Sequence, residues 1–266
     1  MARSIYSGEK YDIVYNYDNY MVKYEEKNKA SNLCVIYCAS SGIYFPNTEE
    51  AFVEAFLKQD NKFEWTNHII KRAYKHIWIR DITKEFYVRG INNRINNIDK
   101  LIDFMRKESE GLKLITVGSS GGGYIATVLG SVLKAECVYS FSGFYDLDIL
   151  DETIWPLIKT REAREDNQKW YQLREEVSKS KVPVLYFWPA KLKGDRKQAR
   201  SIKGVENVHS YKLNSKVHGI PFGDQQHIDK ILNSGSCQLI EAFRTMEKGT
   251  IYKFKWDKIM MSLKEI

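Results

Sequence analysis

The chain has 266 residues, 43% of them hydrophobic and 28% charged, and its 41 Lys and Arg against 34 Asp and Glu give a formal net charge of +7. That length suits one large α/β domain with an inserted cap, or two small domains, the composition is that of a folded globular chain, and no run of about 18 apolar residues offers a membrane-spanning helix. The modest basic excess suits an acidic polymer as partner but comes with no nucleic-acid-binding motif, and Met1 to Lys10 lacks the apolar core of a secretion signal, so a cytoplasmic protein without specific nucleic-acid contacts is expected.

From Tyr11 to Glu26 the pattern alternates, as Tyr11, Ile13, Tyr15 and then Tyr20, Val22, Tyr24, which predicts an antiparallel hairpin at a sheet edge. Leu33 to Tyr37 is a continuous apolar run of the kind a central strand carries, and it ends in the small residues Ala39-Ser40-Ser41-Gly42. Thr48-Glu49-Glu50 ahead of Phe52, Ala55 and Phe56 predicts a capped amphipathic helix. His76 to Ile79 reads as a strand closed by Arg80-Asp81. Tyr87 to Asn97 reads as a polar lead into a helix whose face is Ile95, Ile98, Leu101, Ile102 and Met105.

Leu114 to Val117 is a further buried strand. It breaks into Gly118-Ser119-Ser120-Gly121-Gly122-Gly123 before a helix with Ile125, Val128, Leu129, Val132 and Leu133 on one face. Cys137 to Phe141 is the next strand. Phe144 to Lys181 contains two helical patterns, Trp155, Trp170 and Tyr171 and no strand, and reads as a helical cap inserted over the strand ends. Pro183 to Trp188 and Asn207 to Leu213 complete the strands, and Gly223 to Lys248 and Tyr252 to Ile266 look helical. The alternation implies an α/β fold with a mostly parallel, doubly wound sheet, in a single domain spanning residues 1–266 with the cap at 144–181. Cys34, Cys38, Cys137 and Cys237 show no metal-ligand spacing and are expected as free thiols, so neither a metal nor a cofactor is called for.

The pattern G-x-S-x-G at Gly118 to Gly122, between a strand and a helix, is the signature of a nucleophile elbow with Ser120 at its centre. Flanking glycines let the hydroxyl stand clear, and the helix start aims unpaired N–H groups at the same point, so Gly121 N–H is an oxyanion donor. The same turn could cradle a phosphate, but G-x-G-x-x-G is out of register and the Lys-Ser/Thr of a P-loop is missing. A nucleophilic serine needs a base and an acid to orient it. Of five histidines, His68 and His76 sit in helical or strand contexts ahead of the elbow and read as structural, and His209 lies within the last predicted strand. His218, in the loop Asn214 to Phe222 after the last predicted strand, is placed as the base, with His227 in reserve. Asp195 follows the strand Pro183 to Trp188 and is the only acid among the six basic residues from Lys191 to Lys203. It is the candidate acid, or else a cap of the following helix; Asp146, Asp148 and Asp151 are the alternative set.

With these residues in the order Ser120, Asp195, His218, the stretch Leu33 to Phe222 resembles the α/β-hydrolases. The resemblance implies a second oxyanion donor on the loop after Leu33 to Tyr37, at Ser40, Ser41 or Gly42, although the H-G-G-G motif of lipases is absent. Ser40-Ser41-Gly42-Ile43-Tyr44-Phe45-Pro46 and Phe141-Ser142-Gly143-Phe144-Tyr145-Asp146 are also similar to hydrolase-like proteins of bacterial surface-polysaccharide gene clusters. The expected activity is hydrolysis of a carbohydrate or small-molecule ester by a Ser-His-Asp triad. Acyl transfer to a polysaccharide or glycan by the same triad is the runner-up, and a non-catalytic protein binding an acidic polymer through Lys191 to Lys203 is the third reading.

Overall fold

The computed structural model describes residues 6–58, 61–246 and 249–266. Among the described residues, helix α1 (Glu9–Tyr15) is followed by strands β1 (Tyr20–Tyr24) and β2 (Leu33–Cys38), helix α2 (Glu49–Val53) and strand β3 (Lys75–Ile79). Helix α3 (Ile98–Glu108), strand β4 (Lys113–Ser119), helix α4 (Gly121–Val132) and strand β5 (Cys137–Phe141) come next, then helices α5 (Arg161–Asn167) and α6 (Arg174–Ser180). Strand β6 (Val184–Pro189), helix α7 (Lys193–Ser201), strand β7 (Val208–Leu213), helices α8 (Gln225–Asn233) and α9 (Ser236–Phe243), strand β8 (Thr250–Ile251) and helix α10 (Lys253–Ser262) complete it.

The strands form one sheet in the order β1-β3-β2-β4-β5-β6-β7-β8, and only β1 runs antiparallel to its neighbour. Side chains leave β2 alternately to two separate cores. Cys34, Ile36 and Cys38 join α3 and α4, whereas Leu33, Val35 and Tyr37 join α8, α9 and α10. Both faces being covered, the run is apolar throughout, which is why Leu33 to Tyr37 reads as a central strand. β4, carrying the elbow, lies in the middle of the sheet between β2 and β5.

The hairpin expected over Tyr11 to Glu26 does not form. Tyr11 and Val14 stand three apart and Tyr11 and Tyr15 four apart, a spacing that also fits a helix. As helix α1 the segment buries Tyr11 and Val14 against Ala39 and Phe52, and stacks Tyr11 on Tyr15 with ring centroids 5.3 Å apart. Only Tyr20 to Tyr24 is a strand, paired with β3.

Apart from residue 89, the polar lead Tyr87 to Asn97 is exposed or half-buried only from residue 93 onward. Residues 80–88 and 90–92 are buried, and the Asp81 carboxylate accepts N–H groups of Thr83 at 2.8 Å, Glu85 at 2.8 Å and Tyr87 at 2.9 Å. One buried acid thereby supplies the acceptors that a buried irregular loop lacks. Burial pushes its carboxyl above the ordinary aspartate range despite those donors. The strand at Asn207 to Leu213 is not the last, since β8 pairs with its end. The helical stretch from Gly223 is broken at Gly235, φ 73°, into α8 and α9; its expected end at Lys248 lies outside the described residues.

Within 144–181, α6 packs on α4 and α5 on α3 in the helical layer beside the sheet. Phe144 and Trp155 stand instead beside the elbow, against the rings of Phe86 and His218. Cys34, Cys38 and Cys137 are buried and Cys237 exposed, all unbridged.

Candidate active site

Between β4 and α4, Ser120 makes the turn at φ 54°, ψ −122°. A side chain in that region costs roughly 1–3 kcal/mol and persists only where its surroundings enforce it. Here they do: Ser120 N–H donates to Phe141 O at 2.8 Å and Ser120 O accepts Tyr124 N–H at 3.1 Å. A Cβ on Gly118 would lie 2.1 Å from Gly122 O, and one on Gly122 would lie 2.2 Å from Cys38 O, so only glycine fits at the motif's two ends.

His218, on the loop after β7, places Nε2 2.9 Å from Ser120 Oγ. Its Nδ1 lies 2.9 Å and 3.1 Å from the two carboxylate oxygens of Asp195. Asp195 is 6% exposed and stands in the first turn of α7 rather than on a loop, where the helix dipole favours a carboxylate. The cap position of α7 is Leu192 and no side chain caps that helix, so capping is not what Asp195 does. Ser142, in sequence only the end of a strand, holds the histidine loop: its Oγ accepts Gly219 N–H at 3.0 Å. The one signal for it is position, at the carboxyl end of the strand next to the elbow.

The other candidates are engaged elsewhere. Asp146 accepts Asp148 N–H at 2.9 Å, Asp148 pairs with Arg164 and Gln172, and Asp151 accepts Thr153 Oγ–H at 2.7 Å. His227 accepts Trp256 Nε1–H at 3.0 Å. Asp224, His227 and Asp257 bring ligand atoms within 4.8 Å of one another, but Lys253 Nζ already sits 3.0 Å from Asp224 and 2.6 Å from Asp257, so an ammonium supplies the positive charge there. His76 is buried in β3, its Nδ1 3.2 Å from Tyr37 Oη, and burial lowers its pKa. His209 is half-buried on β7.

Of the three residues named for the second oxyanion donor, two have their N–H groups occupied. Ser40 N–H donates to Glu64 Oε2 at 2.7 Å and Gly42 N–H donates to Ser40 Oγ at 2.9 Å. Ser41 N–H makes no hydrogen bond among the described residues, and Ser41 N would be 3.7 Å from a Cβ built on Gly121. Ser41 and Gly121 therefore face one another beside Ser120.

Two different walls meet at this point. On one side a cleft of about 450 Å³ is lined by Ser40, Glu64, Trp65, His68, His218 and Ile220, among others. Burial pushes the Glu64 carboxyl above its ordinary value, against the pull of its two bonds from Ser40. His68, read from the sequence as structural, pairs with Asp229 at 3.1 Å yet also faces this cleft. On the other side stand Phe86, Phe144 and Trp155, with ring centroids 4.9 to 6.0 Å apart. Phe86 Cδ1 would be 3.6 Å from a Cβ on Gly121, and the Phe144 ring lies 5.9 Å from the His218 imidazole. Phe86 holds φ 60°, a conformation imposed by the Asp81-bonded loop, and no periodicity in the sequence announces it.

The capsule O-acetyltransferase of Neisseria meningitidis serogroup A, solved as a histidine-to-alanine mutant in complex with CoA, superposes with a TM-score of 0.51 at 12% identity, covering 88% of this chain and 93% of that one. The chain has the α/β-hydrolase fold. MenH from Staphylococcus aureus matches this α/β-hydrolase fold at 12% identity and a TM-score of 0.48, over 88% of this chain and all (100%) of its own. A lipase-esterase related protein from Clostridium acetobutylicum matches at 16% identity and 0.44, over 74% and 90%. No protein-family model and no curated protein matches the sequence. At these identities the likeness establishes the α/β-hydrolase fold alone; function lives in the side chains that a fold carries.

Proposed function

We propose that the chain is a serine esterase that cleaves short-chain acyl esters of polar alcohols. The observation that carries this reading is the unbroken relay from Ser120 Oγ through His218 to Asp195, with both links at 2.9 Å, on a serine held at positive φ. In the proposed reaction Ser120 Oγ attacks the ester carbonyl as His218 Nε2 takes its proton, and the carbonyl oxygen gains negative charge between Gly121 N–H and Ser41 N–H. His218 returns the proton to the departing alkoxide, leaving an acyl-serine and a free alcohol. Water, deprotonated by the same imidazole, then releases the carboxylic acid and restores Ser120. Asp195 holds the imidazole with Nδ1–H toward itself and steadies the imidazolium.

The unequal walls give the substrate its shape. The side beside the oxyanion donors is filled by Phe86, Phe144 and Trp155, which leaves room for a short acyl group. The open side is the polar cleft, where Asn67, His68 and Gln225 offer partners to a hydroxyl-rich alcohol. Phe144 and Trp155 near His218 also favour a second outcome, in which a sugar hydroxyl rather than water accepts the acyl group. Exclusion of water from the acyl-serine is what separates transfer from hydrolysis. The capsule O-acetyltransferase with a related fold makes that outcome worth including in the test.

Incubation with a fluorophosphonate probe should add one adduct, and peptide mapping should place it on Ser120. Among p-nitrophenyl esters, acetate should exceed butyrate in kcat/KM, and Phe144→Ala should raise butyrate about tenfold or more relative to acetate, since each misfit methylene costs on the order of 1–3 kcal/mol. A well-folded wild type that takes no adduct sinks the esterase reading. Acetylated glycoside appearing in mass spectra when a glycoside is supplied would favour transfer.

A further inference from the structure

We infer that Glu64 is a positioning residue that sets the second oxyanion donor, acting through Ser40; this rests on the esterase reading above. The turn after β2 offers three consecutive N–H groups, at Ser40, Ser41 and Gly42, and a chain of hydrogen bonds sorts them. Glu64 Oε2 accepts Ser40 N–H at 2.7 Å, Glu64 Oε1 accepts Ser40 Oγ–H at 3.0 Å, and Ser40 Oγ accepts Gly42 N–H at 2.9 Å. A hydroxyl that gives its proton to a carboxylate has its lone pairs left for the amide, so the direction of each bond is fixed by the next. The two outer N–H groups are thereby occupied, and of the three only Ser41 N–H is left to act beside Gly121.

Glu64 is itself held in place. Its neighbour Trp65, at φ 69°, donates Nε1–H to Cys38 O at 3.1 Å, the end of β2, and stacks on Phe141 at 5.8 Å. The carboxylate is thus tied to the same strand end whose turn it orders. Nothing in the sequence links position 64 to positions 40 and 42, because the pairing spans 24 residues with no motif between them.

An oxyanion donor that is lost costs about 10²–10³ in kcat, and one that is merely loosened costs less. Glu64→Ala should therefore lower kcat on p-nitrophenyl acetate by about 10–100-fold with KM within about twofold. Glu64→Gln, whose amide still accepts Ser40 N–H and can donate to Ser40 Oγ, should restore most of the rate. Ser40→Ala should reproduce the Glu64→Ala loss, and the double variant should lose little more, because the two act as one unit. Backbone hydrogen exchange in the peptide containing residues 39–43 should speed up in Glu64→Ala and Ser40→Ala and stay slow in Glu64→Gln.

A rise in KM with kcat kept in Glu64→Ala, not copied by Ser40→Ala, would overturn the inference and make Glu64 a substrate contact. Unchanged exchange in Glu64→Ala would overturn it as well. An inactive, probe-resistant wild type would instead bring down the esterase reading, and the exchange comparison would still decide whether Glu64 orders the turn.

Discussion

Ser120→Ala and His218→Ala should each lower kcat for ester hydrolysis by a factor on the order of 10⁶, and the double variant should be no slower than either single one. In the proposed relay the two side chains share one proton transfer, so removing the second partner after the first takes away nothing more. Asp195→Asn should cost about 10⁴ for a different reason. An amide beside His218 Nδ1 can present its N–H₂ to the ring, which draws the proton to Nε2, the nitrogen that must be free to accept the proton of Ser120. The geometry is kept and the tautomer is wrong. Steady-state rates on p-nitrophenyl acetate, with thermal unfolding to show that each variant is folded, check all three. If Asp195→Asn kept a tenth of the wild-type rate, Asp195 would not be the orienting acid, whatever its distance from the imidazole.

The contrast between Asp195 and Glu64 explains which parts of the site the sequence discloses. Asp195 follows a strand, in the topological position where a doubly wound sheet delivers side chains to its carboxyl edge, and that edge can be counted from the strands. Ser120 and His218 are placed at that edge in the same way, each after a strand that can be read from the sequence. Glu64, Ser142 and Phe86 are fixed by contacts between distant segments. Ser40 and Glu64 meet because Trp65 is tied to Cys38, and Phe86 reaches Gly121 because Asp81 gathers three N–H groups around itself. Tertiary hydrogen bonds of that kind leave no period behind.

Local ambiguity accounts for the remaining differences. Tyr11, Val14 and Tyr15 satisfy a helical spacing while Tyr11, Ile13 and Tyr15 satisfy an alternating one, and the pocket formed by Ala39 and Phe52 decides in favour of the helix. The basic residues around Asp195 suggest, as a bare sequence, a surface for an acidic polymer. On α7 the acid is buried against His218 while Lys193, Arg196, Lys197 and Arg200 face solvent, so one short helix carries a site residue inward and a charged face outward. Residues 80–92 mislead for the opposite reason. Their charged and amide groups look solvent-seeking in sequence but are satisfied internally, as Lys84 Nζ is by Tyr44 O at 2.9 Å.

Gly122→Ala should lower stability by about 3 kcal/mol or more, a fall of roughly 6–12 °C in melting temperature, although alanine is the better helix former by about 1 kcal/mol. The added Cβ would stand 2.2 Å from Cys38 O, 2.7 Å from Ala39 O and 2.9 Å from Ala39 C. All three are backbone atoms, so no side-chain rotation relieves the clash; helix α4 and the end of β2 must move apart. The same displacement carries the Ser40 to Gly42 turn away from Ser120, so any folded fraction should also lose activity. Gly194, one residue before Asp195, supplies the control. A Cβ there meets nothing within 4 Å and its backbone is helical, so Gly194→Ala should be neutral or raise the melting temperature by about 1–4 °C with turnover unchanged. Two substitutions of the same kind, each close to a residue of the proposed relay, thus differ in sign because one glycine is required by a neighbouring strand and the other is not. Equal melting temperatures for the two variants would mean that α4 does not approach β2 this closely, and with it the case for a strained elbow at Ser120 would fail.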